Sequence, residues 1–194
     1  IGSFQIMNFE FATATRIVFG NEKIQELGSL VSGLGQRALL VTGKDPSRAA
    51  IAGELLKAAG VSATLFSVPG EPTTSLVEQG MAAARAAGCD FVICIGGGSV
   101  IDAGKAIAAM LTQEGELLDY LEVIGRGRAL TKPSRPLVAI PTTAGTGAEV
   151  TRNAVLSSPE HRVKVSLRSP LMLPTLALVD PELTCDLPPA LTAS

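Results

Sequence analysis

The sequence predicts a doubly wound α/β domain on a mainly parallel sheet, and three observations carry that prediction. Apolar runs without polar interruption recur at 37–42, 90–95 and 137–140, and such strands belong to sheets covered on both faces. Segments with apolar positions at helical spacing separate the runs, as parallel crossovers require. Finally, Asp90-Phe91-Val92-Ile93-Cys94-Ile95 feeds Gly96-Gly97-Gly98 and a further helical pattern. That layout of strand, tight turn and helix places a ligand beyond the carboxyl ends of the strands.

The elements follow in order. Residues 16–20 form a short apolar strand closed by glycine, and 21–27 begin with the helix-capping Asn21 before apolar positions at helical spacing. Residues 37–43 read as a buried strand, and the alanine-rich 47–59 as a helix stopped by Gly60. A strand at 61–68, a turn at 69–72 and a helix at 74–87 closed by Gly88 come next. The glycine-rich unit supplies the strand 90–95 and a helix at 99–111. Residues 137–140 form another buried strand, 151–156 and 162–167 a hairpin around Ser157-Ser158-Pro159-Glu160-His161, and 176–179 a last short strand. The tail 186–192 is proline-rich and opens a possible helix.

The turn Gly96-Gly97-Gly98-Ser99 points to a phosphate compound. Glycines let backbone approach an anion, and the amides that open the following helix present the positive end of its dipole. Neither common fingerprint is matched. A G-x-G-x-x-G would need glycine at Ile101, and a P-loop would need glycine at Ser99 and a hydroxyl at Ala106. A turn that only packs helix on strand is the alternative. The strand at 137–140 runs into Pro141-Thr142-Thr143-Ala144-Gly145-Thr146-Gly147-Ala148-Glu149, whose small and hydroxylated residues suit a pyrophosphate or ribose.

Composition narrows the class. With 194 residues, 46% hydrophobic content and a net charge of −2, the chain is a globular domain with a substantial core. Its Lys and Arg are scattered, which speaks against nucleic acid or an anionic membrane as partner. No apolar stretch reaches the length of a membrane span, and the expected location is cytoplasmic. Cys89, Cys94 and Cys185 show no C-x-x-C spacing and are expected to be buried thiols. His161 is the only histidine, so no catalytic metal site is expected within the chain, and His161 itself reads as a solvated turn residue. Residues 1–6, ahead of Met7, read as an expression remnant, which leaves a domain of 7–194.

Three segments taken together resemble one family: Gly96-Gly97-Gly98-Ser99 with Asp102 and Lys105, Pro141 through Thr151, and Val179-Asp180-Pro181-Glu182-Leu183 followed by Leu187-Pro188-Pro189. The family is the iron-containing (group III) alcohol dehydrogenases, and Met7-Asn8-Phe9-Glu10-Phe11 and Arg16-Ile17-Val18-Phe19-Gly20 fit it as well. The resemblance implies a Rossmann-like, dehydroquinate synthase-like N-terminal domain that binds NAD or NADP. In the family a C-terminal helical domain, expected to be absent here, holds Fe2+ or Zn2+ through one Asp and three His, and hydride passes between NAD(P)H and an alcohol/aldehyde pair. The chain alone is then expected to bind cofactor without catalysing, with no catalytic or metal-ligating residue of its own.

By the same resemblance Gly97, Gly98 and Ser99 would contact the pyrophosphate, and Thr142 and Thr143 the ribose and nicotinamide side. Ordinary turn chemistry is the other reading of the threonines. Asp102 would orient the site or serve only as a carboxylate in the first helical turn. Thr151, Lys164 and Leu183 align with further cofactor contacts, or are plain strand residues. Gly43 stands where NAD-restricted members often carry an acid; glycine, with Lys44 and Arg48 near, predicts that NADP is accepted at least as well as NAD. A homo-oligomer is expected, because the sheet face that meets the helical half would be exposed. Alternatives are a non-catalytic nucleotide-binding module, or a maleylacetate reductase, glycerol dehydrogenase or dehydroquinate synthase relative.

Overall fold

A computed structural model describes residues 9–185, with the side chain of Arg48 outside the description. The readings made on 1–6, on Met7 and Asn8, and on the tail 186–192 therefore lie outside the described residues. In chain order the elements are β1 (Arg16–Phe19), a 3-10 turn (Lys23–Glu26) running into α1 (Leu27–Leu30), β2 (Arg37–Thr42), α2 (Ser47–Ala58) and β3 (Ser62–Ser67). They continue with α3 (Thr74–Ala86), β4 (Phe91–Gly96), α4 (Gly98–Met110), α5 (Leu117–Tyr120) and β5 (Leu137–Pro141). The hairpin β6 (Asn153–Ser158) and β7 (Val163–Arg168) and the strand β8 (Leu176–Val179) complete the set.

Six strands form one sheet in the order β1-β8-β5-β4-β2-β3, and every neighbouring pair is parallel. The uninterrupted apolar runs lie in its middle: β2 is buried from Ala38 onward, and β4 and β5 are buried throughout. Side chains alternate between two layers, as a pleated strand requires. Val92, Cys94, Leu137 and Ala139 meet α3, α4 and the hairpin; Phe91, Ile93, Ile95, Val138 and Ile140 meet α1 and α2. The edge strands β1 and β3 carry mostly exposed positions.

α4 is the deepest helix, buried almost continuously from Val100 to Met110. Its close seating depends on two missing side chains. A Cβ at Gly104 would stand 1.9 Å from Cys94 Sγ on β4, and one at Gly80 of α3 would stand 2.3 Å from Ile107 Cδ1 of α4.

Local departures from the sequence reading have physical causes. The first helical segment opens at Glu22, in left-handed backbone and without a side-chain cap, so Asn21 is a turn residue. The hairpin strands start later than expected: β6 at Asn153, because Lys105 and a 3-10 turn (Ala148–Val150) hold the chain up to Thr151, and β7 at Val163, because Arg162 sits in left-handed backbone in the turn. α5 was not foreseen; its four residues are too few for a periodic signal, and a capping box between Glu116 and Asp119 starts it. Cys89 and Cys94 are buried, but Cys185 is exposed, since it lies just past the 3-10 turn (Pro181–Thr184) at the rim of the fold. No helix among the described residues is long and apolar enough to cross a membrane.

Candidate functional site

Adjacent parallel strands bring the two small-residue loops together at the carboxyl edge of the sheet. Gly96 on β4 stands opposite Pro141 on β5, and the Thr142 amide donates to the Gly96 carbonyl at 3.0 Å. α4 begins at Gly98, with Gly97 as its N-cap in extended backbone and no side-chain cap. The amides of Val100 and Ile101 return to the Gly97 carbonyl at 3.0 and 3.1 Å. The amides of Gly98 and Ser99 are thus the ones with no acceptor inside the helix, and they open an anion-receptive end of a 13-residue helix.

The threonine loop lies against this turn. A Cβ at Gly97 would stand 3.2 Å from Thr143 Oγ1, and one at Gly98 would stand 3.3 Å from Thr146 Cγ2. A side chain at either position would push the facing threonine back by a few tenths of an ångström, so the glycines let the two loops close on each other. Thr142 is buried and Thr143 half-buried. Gly43, just past β2, is half-buried; a Cβ there would come 3.9 Å from Val100 Cγ2, and its carbonyl accepts the Ser67 hydroxyl at 2.9 Å. Gly43, Gly97, Gly98, Ser99, Thr142 and Thr143 therefore share one rim.

Asp102 lies in the second turn of α4, not the first, because the helix starts at Gly98. Its carboxylate meets Lys105 Nζ at 2.9 Å and accepts the Val155 amide at 3.1 Å. The Lys105 ammonium is fully buried, and it also donates to the Ala148 carbonyl at 2.9 Å, to Thr151 Oγ1 at 3.1 Å and to the Asn153 carbonyl. One cation thus ties the end of the threonine loop and the start of β6 to α4. Lys164, on the exposed side of β7, pairs with Glu71 in the loop before α3. Leu183 sits in the 3-10 turn after β8 and packs on the layer of α1 and α2.

A family model described as iron-containing alcohol dehydrogenase matches residues 14–181. The chain belongs to the iron-containing alcohol dehydrogenases. Among curated members, 4-hydroxybutyrate dehydrogenase of Cupriavidus necator is 42% identical over 161 residues, which cover 82% of this chain and 42% of that protein. The 1,3-propanediol dehydrogenase of Klebsiella pneumoniae is 37% identical over 196 residues, covering 97% of this chain and 48% of the relative. The crystal structure of a 1,3-propanediol oxidoreductase superposes with a TM-score of 0.89 at 35% identity, over 96% of this chain and 49% of that one. A sulfoacetaldehyde reductase from Bifidobacterium kashiwanohense in complex with NAD+ superposes with a TM-score of 0.87 at 32% identity, over 96% of this chain and 50% of its own. The chain spans about half the length of these relatives.

Within the half of an iron-containing alcohol dehydrogenase seen here, no group of three His, Cys, Asp or Glu side chains among the described residues is placed to hold a metal ion. The residues present fit a dinucleotide: two uncapped amides, glycines where a Cβ would fill the cradle, and hydroxyls on the facing loop. His161 is exposed in the hairpin turn, where its Nδ1 lies 2.9 Å from Ser158 Oγ.

From sequence Lys105 is legible only as part of a motif, since apart from Asp102 its partners lie 43 to 48 positions away along the chain. Asp180 likewise entered only within a motif, yet it is 1% exposed and accepts the Ile24 amide and the Glu182 amide, each at 3.1 Å. The local half of that role was readable, because an acid followed by proline opens a helical turn.

Proposed function

We propose that this chain is the NAD(P)-binding part of a metal-dependent dehydrogenase that moves hydride between NAD(P)H and an alcohol/aldehyde or ketone pair. The observation that carries the reading is the start of α4: the Gly98 and Ser99 amides have no helical acceptor and no side-chain cap, under a threonine loop in contact with Gly97 and Gly98. A pyrophosphate caps that end and completes its hydrogen bonds. Thr142 and Thr143 flank the ribose and nicotinamide side. Asp102 and Thr151 act through Lys105 by fixing the loop over the turn, while Lys164 and Leu183 border the cofactor farther along the rim. The bound dinucleotide supplies the hydride, and these residues orient it and keep the turn closed around it.

At the end of β2, Gly43 leaves room and carries no negative charge, so a 2′-phosphate meets no carboxylate there. NADP is accordingly accepted at least as well as NAD, with Lys44 beside it as an exposed cation. Fe2+ or Zn2+ and the alcohol belong to the portion of the relatives that this chain does not span. The enzyme is a cytoplasmic homo-oligomer. Support for association comes from the exposed Phe9, Phe11, Ile17 and Phe19 on and before the unpaired side of β1.

Calorimetric titration of the chain with NADPH and then NADH tests this directly. Saturable binding of both, with NADPH equal or tighter, is expected. No binding of either would overturn the reading of an autonomous cofactor domain. Gly43→Asp should weaken NADPH at least tenfold and leave NADH within about threefold; equal effects on both would overturn the assignment of Gly43.

A further inference from the structure

A second cleft lies at the amino edge of the sheet, opposite the glycine turn. Two adjoining cavities of about 310 and 550 Å3 share Arg37, Asp90 and Arg135 as walls, and Arg85 lines the smaller one. The three arginines come from different elements: Arg37 opens β2, Arg85 lies in the last turn of α3, and Arg135 precedes β5.

Positive charge is in excess there. Among the described residues Asp90 is the one carboxylate lining the cleft, and its Oδ2 is taken by the amides of Gln36 and Arg37, each at 3.0 Å, while its Oδ1 lies 3.5 Å from Arg37 Nη2. Among the described residues neither Arg85 nor Arg135 is ion-paired to a carboxylate. Arg85 donates to the Met110 carbonyl at 3.3 Å, and Arg135 is held through its backbone amide, which donates to the Ala108 carbonyl at 2.9 Å.

The ends of α3 and α4 would oppose an anion if their carbonyls were free. Most are engaged: the Cys89 and Gly88 amides return to Ala84 and Arg85, the Thr112 amide returns to Ala109, and Ala108 and Met110 accept from Arg135 and Arg85. What faces the cleft is guanidinium, a planar donor fork that matches phosphate oxygens and is weakly hydrated for a cation. We propose that this cleft is an anion site for a compact ligand bearing a phosphate or pyrophosphate group. All three arginines meet only in the smaller of the two cavities, and its volume of about 310 Å3 suits a compact anion of this kind.

The test is calorimetric titration of the 194-residue chain with inorganic pyrophosphate at low salt, run before and after saturation with NADH. In the NADH-saturated chain, where the glycine turn is already occupied, one saturable event is expected, weakened at least tenfold in Arg135→Ala and in Arg85→Ala and unchanged in Lys132→Ala, which removes a cation elsewhere. Arg135→Ala keeps the backbone contact of that residue, so circular dichroism and NADH binding should match the parent even if Arg85→Ala folds poorly. Absence of saturable binding, equal binding in Arg135→Ala, or loss of the event on adding NADH would each overturn the proposal. NADH binding is read separately, so failure of the cofactor assignment is distinguishable from failure here.

Discussion

Replacing Lys105 by methionine keeps a long apolar stem and removes only the ammonium, and it should destabilise the fold by about 3–5 kcal/mol. The size follows from what is left behind. Asp102, with 17% of its side chain exposed, loses its cation and retains only the Val155 amide. The carbonyls of Ala148 and Asn153 lose a donor, each at roughly 1 kcal/mol or more. The charge left without a partner supplies the remainder, reduced by the water that reaches Asp102. Urea denaturation of Lys105→Met, Asp102→Asn and the double variant measures this. The double variant should lose less than the two singles together, because both remove the same pair. A loss below about 1 kcal/mol in Lys105→Met, or strict additivity, would refute the view that this cation holds the threonine loop and hairpin to α4.

Three further outcomes are expected. The Asp90 carboxyl is held below its ordinary range, first by the amides of Gln36 and Arg37 and then by the Arg37 guanidinium. A lowered folded value means stability present above the unfolded carboxylate range and lost as pH falls through the folded value; thermal melts from about pH 5 down to pH 2 should fall less steeply in Asp90→Asn than in the parent. Burial pushes the Cys94 thiol above its ordinary range and Cys89 is also buried, so a disulfide reagent should modify Cys185 quickly, Cys89 far more slowly and Cys94 only on unfolding. Rapid modification of two thiols in the native chain would contradict the packing described. Gly98→Ala places a methyl 3.3 Å from Thr146, which should cost under about 1 kcal/mol of stability yet weaken NADH about tenfold; unchanged NADH affinity would argue against the turn as the pyrophosphate site.

Much of the fold was readable because its central strands are buried on both faces. Leu39-Leu40-Val41 and Val92-Ile93-Cys94 carry a signal that needs no partner to interpret, and a three-glycine turn after such a strand has few other uses. The rim was legible for the same reason: Gly43, Gly97 and Thr142 each follow directly on a readable strand. What escaped was decided across the chain. Asp102 reads as a terminal carboxylate from its place after the glycines, yet its surroundings are set by Lys105 on its own helix and Val155 on the hairpin. The hairpin register slipped for a related reason, since Thr151 and Arg152 look like strand and are instead held by a cation 46 positions earlier in the case of Thr151.

The glycines at 80 and 104 make α4 a gauge rod seated in two notches. With the Cys94 thiol held in its rotamer, relieving a 1.9 Å approach at position 104 to ordinary contact near 3.4 Å would lift the rod by about 1.5 Å. Since the helix is stiff, its opening amides, about 9 Å away along the axis, rise with it. The height of the anion-receptive tip above the rim is therefore metered at a contact the ligand never touches, and a methyl group between Cys94 and the helix would detune recognition from inside the core.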